Sequence, residues 1–242
     1  MRVVAIIQQR LGSTRLPGKS LLPLAGKPLT ARLMERVRRA KSLDMIVVAA
    51  PKEPDALQLQ EVVLNFAKDH HLVYGQECAY YLFGHLAVAD LVGRYHCSAQ
   101  ASQADLIVRI PGDNPLVEPE AIDDAVMRYL KTPTVFCSNT ILRVQDQYVD
   151  GLGVEVFSAT RIKMLDELLA PDDPRREHVH QYFHEHGLGP FVPENREVLR
   201  LDVNNRKDYE FVASIYEALY PDNPTFGITE ILRYLKQKEV PV

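Results

Sequence analysis

The chain opens on Val3–Ile7, consecutive apolar residues that stop abruptly at Gln8, Gln9 and Arg10. A run this short and without alternation reads as a strand covered on both faces, since a half-exposed strand would interleave polar residues. Runs of the same kind recur at Met45–Ala49 and Asp105–Ile110. Helical spacing fills the intervals. Leu29, Leu33, Arg36, Val37 and Ala40 trace one helix, and Leu57, Gln60, Val63 and Leu64 a second that begins near Pro54, whose fixed φ suits a first turn. Leu72–Tyr74 is predicted as a strand and the stretch from Ala79 to Gln100 as a long helix. This alternation specifies an α/β protein with a mostly parallel or mixed sheet sandwiched by helices. Ligands of such sheets lie beyond the carboxyl ends of the strands, so the residues just after Ile7 and Ile110 are the first candidates for a site.

The second half is less regular. Val135–Ser138 and Val154–Phe157 read as strands and Ala159–Leu169 as a helix. Leu199, Leu201 and Val203 alternate with Arg200, Asp202 and Asn204, a half-buried strand with a polar face. Lys207–Leu219 and Ile228–Gln237 are amphipathic helices. There is no repeat, no low-complexity linker and no composition break, so residues 1–242 read as a single domain.

Composition narrows the function. The 242 residues carry 28 Lys+Arg against 32 Asp+Glu, a net charge of −4, which argues against a nucleic-acid binder or a protein held on anionic membranes. No apolar run approaches the ~20 residues of a membrane span, and Val3–Ile7 is too short for the core of a signal peptide. Cys78, Cys97 and Cys137 are odd in number and unpaired in spacing, which fits a reducing compartment. The expectation is a cytoplasmic globular protein.

The segment after the first run is unusually rich in chemistry. Gln9-Arg10-Leu11-Gly12-Ser13-Thr14-Arg15-Leu16-Pro17-Gly18-Lys19-Ser20 holds two arginines, a lysine, two glycines and hydroxyl residues. Small residues admit backbone N–H groups to an anion and cations neutralise its oxygens, so the loop is equipped for a polyphosphate. Gly18-Lys19-Ser20 mimics the end of a P-loop, but Gly12 and Gly18 stand one residue too far apart. Pro23 and Gly26 also fall where the P-loop helix would run.

The pattern Arg10-x-x-Ser13-x-Arg15-x-Pro17-x-Lys19, continued by Leu24-Ala25-Gly26-Lys27-Pro28-Leu29, resembles the cytidylyltransferase family that activates acidic sugars as CMP derivatives, in particular its spore-coat polysaccharide biosynthesis branch. The resemblance runs nearly end to end. It returns at Arg109-Ile-Pro-Gly-Asp113-Asn-Pro115-Leu116, Asp150-Gly-Leu-Gly-Val-Glu155-Val-Phe157, Arg176-Glu177-His178-Val179 and Leu199-Arg-Leu-Asp-Val-Asn204. It implies the Rossmann-like fold of nucleotide-diphosphosugar transferases, with 1–130 the nucleotide-binding half and 131–242 the acceptor and dimerisation half. It also implies CTP and a small acidic sugar or phosphate-bearing acceptor as substrates, Mg²⁺ as cofactor, and a homodimer.

Within that resemblance Lys19, Arg10 and Asp113 are expected to be catalytic. Arg10 is assigned to the β- and γ-phosphates, and Lys19 to the α-phosphate and the leaving oxygen. Gln8, Gln9, Leu11, Gly12, Ser13 and Arg15 are expected to bind nucleotide, with the Gly12 N–H assisting, as are Pro111 and Gly112. Asp113 sits in a Gly-Asp-Asn-Pro turn and is the first candidate for a Mg²⁺ ligand, because Mg²⁺ prefers one or two carboxylates plus phosphates and water. The family's second ligand is an aspartate where this chain has Asn204; its amide still offers an oxygen, and Asp202, two residues earlier, can supply the missing charge. Asp150, Glu155, Arg176, Glu177 and His178 are expected to shape the sugar pocket.

Other departures bear on specificity. Gln9 stands where the family has a small alanine, Gly153 replaces an acidic residue, Gly75–Phe83 lacks the Asp-Val-Leu-x-Arg pattern, and Ala49-Ala50-Pro51 lacks the Thr-Ser/Asp pattern. His180 and His184 are spaced to share a helix face beside His178 and His186, but the stretch reads better as a polar helix with Tyr182 and Phe183 turned inward than as a metal site. Two alternatives stay open: a catalytically weak nucleotide-binding homologue with a regulatory or scaffold role, and a nucleotidyltransferase that uses another nucleoside triphosphate and a sugar phosphate.

Overall fold

The computed structural model describes residues 1–54, 56–132, 134–144, 147–185 and 198–238. In chain order its elements are strand β1 (Val3–Gln8), the short β2 (Pro23–Leu24) and β3 (Lys27–Pro28), helix α1 (Leu29–Val37), β4 (Met45–Pro51), α2 (Leu57–Asp69), β5 (Cys78–Phe83), α3 (Leu91–Ser102), β6 (Leu106–Pro111) and α4 (Pro119–Lys131). The second half adds β7 (Cys137–Ser138), β8 (Ile141–Val144), β9 (Gln147–Asp150), β10 (Glu155–Ser158), α5 (Ala159–Leu168), α6 (Val179–Glu185), β11 (Val198–Arg200), α7 (Arg206–Leu219) and α8 (Ile228–Gln237).

The main sheet has the order β5-β4-β1-β6-β10-β7. β5, β4, β1 and β6 run parallel, and β10 from the second half pairs antiparallel with β6. The side-chain alternation of β1 explains the unbroken apolar runs. Val3, Ala5 and Ile7 enter one core with Leu33, Met34 and Val37 of α1, Val63 of α2 and Ile122 of α4. Val4 and Ile6 enter the opposite core with Val92 and Tyr95 of α3, Ile162 of α5 and Phe183 of α6. Both faces are thus capped by helices, and each buried Val, Ile or Leu contributes roughly 1.5–3 kcal/mol. A third core, with Leu24, Leu116, Val149, Leu201, Val203, Ile215 and Phe226, joins α7 and α8 to the small sheet β11-β9-β8.

Two expectations fail at the β5 edge. Leu72–Tyr74 forms only a bridge from Tyr74 to Cys78, and the strand is Cys78–Phe83, part of what the spacing assigns to a helix. Cys-Ala-Tyr-Tyr-Leu-Phe is aromatic-rich, and its register along β4 supplies the packing that favours a strand. The helix starts only at Leu91, where the Asp90 carboxylate accepts the Gly93 N–H at 2.9 Å. α2 likewise begins at Leu57, three residues after Pro54.

The strand order reverses between β1 and β6: β1 leads to β4 on one side, and the connection from β5 crosses to β6 on the other. That reversal opens a crevice at the carboxyl ends of β1 and β6, immediately before the basic loop and the Gly112-Asp113 turn.

Candidate active site

Close packing of two backbones builds the crevice floor. A Cβ on Gly112 would lie 2.1 Å from the Gln8 carbonyl oxygen, so no other residue fits there. Gln9 ties the two loops together. Its Nε2 donates to the Gly112 carbonyl at 2.9 Å and its Oε1 accepts the Ser20 hydroxyl at 2.5 Å. The amide at this position is therefore a brace, with both ends engaged and 4 % of the residue exposed, and not a free group for reading a base. Gly18 (φ 68°) turns the chain so that Lys19–Leu21 form a single tight helical turn instead of the long helix of a P-loop. Ser13 is also turned into the loop, its hydroxyl accepting the Leu16 N–H.

This geometry brings Lys19 and Asp113 together. The Lys19 ammonium donates to Asp113 Oδ2 at 3.1 Å and to the Val203 carbonyl at 2.8 Å. Arg15 donates to Asn204 Oδ1 at 2.8 Å, and Arg10 stands 4.0 Å from the Glu177 carboxylate. Arg10 and Glu177 are both more than two-fifths exposed, so their pairing is worth little and leaves the guanidinium available to a stronger anion. With Arg94 and Arg109 these cations line a cleft of about 280 Å³ that also presents Gln8, Thr14, Leu91, Pro111 and His178.

Oxygen donors gather on the wall formed by the β11–α7 connection. Asn205 caps α7 and exchanges backbone bonds with Asp208, a capping box that also takes the Asn204 N–H at 2.9 Å and fixes the turn. The Asn204 amide nitrogen donates to Asp202. Burial, with the Asp150 and Asp113 carboxylates nearby, pushes the Asp202 carboxyl above its ordinary value. In this arrangement Lys19 and Arg15 sit on the Asp113 and Asn204 oxygens. A set of carboxylate and amide oxygens already drawing cations fits a hard divalent ion such as Mg²⁺. Among the described residues no group of three or more His, Cys, Asp or Glu side chains forms a cage able to hold a metal by itself.

Several expected residues stand elsewhere. Leu11 and Gly12 do not line the cleft; their N–H groups donate to Glu53 Oε2 at 2.8 and 3.3 Å, so the Gly12 N–H already has an anion. Arg176 turns away from the cleft into a buried network, donating to both Asp90 oxygens, at 3.0 and 3.1 Å, and to Asp166 at 2.5 Å. Glu155 lies behind the wall, opposite Arg109 in the β6–β10 register and 2.9 Å from its guanidinium. Asp150 accepts the Gly151 N–H and faces Arg200. Glu177 and His178 do reach the cleft. Phe183 is buried as expected and Tyr182 partly so, while the His184 side chain and His186 lie outside the described residues.

Spacing alone misses Arg94, Arg109, Glu53 and Leu91. Arg109 opens the Arg-Ile-Pro-Gly-Asp motif, which was a usable signal. Arg94 and Glu53 carry none, since their partners Gln8 and Leu11 are distant in sequence. The glycine at 153 also finds a reason: a Cβ there would lie 1.8 Å from the Asn139 carbonyl oxygen.

Cations and oxygen donors converging on the switch point of such a sheet define an α/β enzyme of the nucleotidyltransferase class. The chain belongs to the cytidylyltransferase family, whose model matches residues 4–240. It is 26% identical over 249 residues to the spore coat polysaccharide biosynthesis protein SpsF of Bacillus subtilis, covering 97% of this chain and 94% of that one. It is 32% identical over 170 residues to a 3-deoxy-manno-octulosonate cytidylyltransferase of Zea mays, spanning 64% of this chain but only 51% of the plant protein. A solved cytidylyltransferase from Leptospira borgpetersenii serovar Hardjo-bovis superposes with a TM-score of 0.79 at 25% identity, covering 99% of this chain and 95% of that one. No helix among the described residues is long and apolar enough to cross a membrane.

Proposed function

We propose that the protein transfers a cytidylyl group from CTP to an acidic sugar or a comparable phosphate-bearing acceptor. An acceptor oxygen attacks the α-phosphorus; the new P–O bond forms as the bond to the β-phosphate breaks, and pyrophosphate leaves with its electron pair. Such a reaction asks the protein mainly to position two anions and to neutralise charge. The observation that carries the reading is the meeting of Lys19 with Asp113 at the crevice between β1 and β6, among Arg10, Arg15 and Arg109.

Arg10 and Arg15 hold the β- and γ-phosphates, and Lys19 serves the α-phosphate and the departing oxygen. Asp113, Asn204 and Asp202 would hold Mg²⁺, which supplies further neutralisation of the phosphates when bound. Glu155 holds Arg109 against the cleft, and that pairing keeps the guanidinium charged: burial pulls its pKa down, but the Glu155 carboxylate, together with Tyr95 and Asp113, more than offsets it. Glu177 and His178, which line the same cleft, are assigned to the acceptor.

The test is pyrophosphate release from CTP with a panel of acidic sugars and phosphate-bearing alcohols, with and without Mg²⁺. Acceptor-dependent release supports the reading. Thermal stabilisation by CTP with no release for any acceptor would replace it with nucleotide binding alone, and a preference for UTP, GTP or ATP would change the donor.

A further inference from the structure

We propose that Gln8 selects the nucleobase, its side-chain N–H₂ donating to the adjacent acceptors of cytosine, O2 and N3. This inference rests on the cytidylyltransferase reading and adds the residue that gives it base specificity.

The argument starts from the buried Arg94. Its Nη1 and Nη2 donate to the carbonyls of Ala87 and Val88 at 2.8 and 2.7 Å, and its Nε donates to Gln8 Oε1 at 2.9 Å. With 2 % of the residue exposed and three groups engaged, Arg94 cannot swing away. A guanidinium only donates, so the Gln8 amide has one permitted orientation: oxygen toward Arg94 and nitrogen away from it. That nitrogen is buried and has no hydrogen-bond acceptor among the described residues. An orphaned buried donor is costly, and a ligand that accepts from it recovers the cost.

The surroundings say what kind of acceptor fits. Gln8 lines the cleft with the apolar Leu91, on a strand end whose following loop carries the phosphate-binding cations. A flat heterocycle attached to a triphosphate can meet both. Cytosine offers O2 and unprotonated N3 side by side, two acceptors for an amide donor. Uracil carries a proton on N3 and sets donor against donor. An amide locked as a donor therefore favours cytosine, and Arg94 is the positioning residue that locks it.

The experiment compares the wild-type protein with Gln8→Glu in calorimetric binding of CTP, UTP and inorganic tripolyphosphate. Gln8→Glu keeps the size and the bond to Arg94 but removes the donors. CTP affinity is expected to fall about ten- to hundredfold, UTP affinity to change much less, and tripolyphosphate affinity to stay within about twofold. A variant that retains the CTP preference, or loses CTP and UTP equally, overturns the inference. Wild-type protein that binds tripolyphosphate but takes CTP and UTP alike overturns it while leaving the phosphate site standing; wild-type protein that binds none of the three removes both. Arg94→Met supplies a second measure. Freed from its clamp, Gln8 can present its oxygen, so the CTP-over-UTP preference falls, and adding Gln8→Glu lowers it no further.

Discussion

The Lys19 ammonium lies 3.1 Å from Asp113 Oδ2, although the two residues are 94 positions apart in the chain. One comes from the loop after β1 and the other from the turn after β6, so the contact exists only because those strands are neighbours. Lys19→Ala is expected to fold normally and lose ~10²–10³ in turnover, ~2.7–4 kcal/mol of transition-state stabilisation. Asp113→Asn is expected to abolish Mg²⁺-dependent activity. Near-normal pyrophosphate release from either variant would take that residue out of the chemistry.

Asn204→Asp tests the oxygen wall. It places a third carboxylate beside Asp202 and Asp113, so without divalent cations the melting temperature should fall. With Mg²⁺ the variant should gain more thermal stability than the wild type does, and activity should be kept or raised. A melting temperature indifferent to Mg²⁺ in both proteins would mean that this wall holds no metal.

Glu53 holds the N–H groups of Leu11 and Gly12 from the side away from the cleft. Glu53→Ala frees the loop, and the KM for nucleotide is expected to rise about tenfold, the loss of ~1.4 kcal/mol that one or two such bonds supply, with kcat changed less. Tighter nucleotide binding by the variant would show instead that the carboxylate competes with a phosphate for those N–H groups.

Arg176 separates a structural role from a sugar-binding one. Its side chain is 10 % exposed and pairs with Asp90 and Asp166, so Arg176→Met should destabilise the fold by up to ~3 kcal/mol: it removes the cation the two carboxylates share, while Asp90 keeps the Gly93 N–H and Asp166 keeps His96. The Asp166 carboxyl is raised by burial, but its bonds from His96 and Arg176 outweigh this and hold it below the ordinary 3.8. A depressed carboxyl adds stability above its unfolded value, and that stability is lost as the pH drops below about 3.8 through the native value. Asp166→Asn should therefore flatten the acid limb of a melting-temperature profile below pH 4 or so. A stable Arg176→Met protein with weakened acceptor binding would return this residue to the sugar pocket.

The sequence and the structure agree best where one physical signal dominates. β1, β4 and β6 are legible because strands covered on both faces leave unbroken apolar runs, and the switch point then locates the loop from Gln9 to Ser20. β5 is not, because an edge strand of mixed burial has no period distinct from a short helix until β4 pairs with it. The site follows the same division. Residue types in the loop announce an anion site, yet which N–H groups face the anion depends on Glu53, and whether Arg176 faces sugar or core depends on Asp90 and Asp166. Those partners are set by tertiary packing, and no spacing along the chain encodes them.

Gly153 closes a road. Asn139 is held from both ends of its amide, donating to Ala121 and accepting from Val154, so it has no room to retreat from a side chain at 153. The acidic side chain that the family resemblance implies at 153 would collide with that backbone before it could serve any substrate. Any side chain at 153 therefore demands a different backbone path for the turn that follows β7, so the close approach of these two segments and the missing Cβ are one feature.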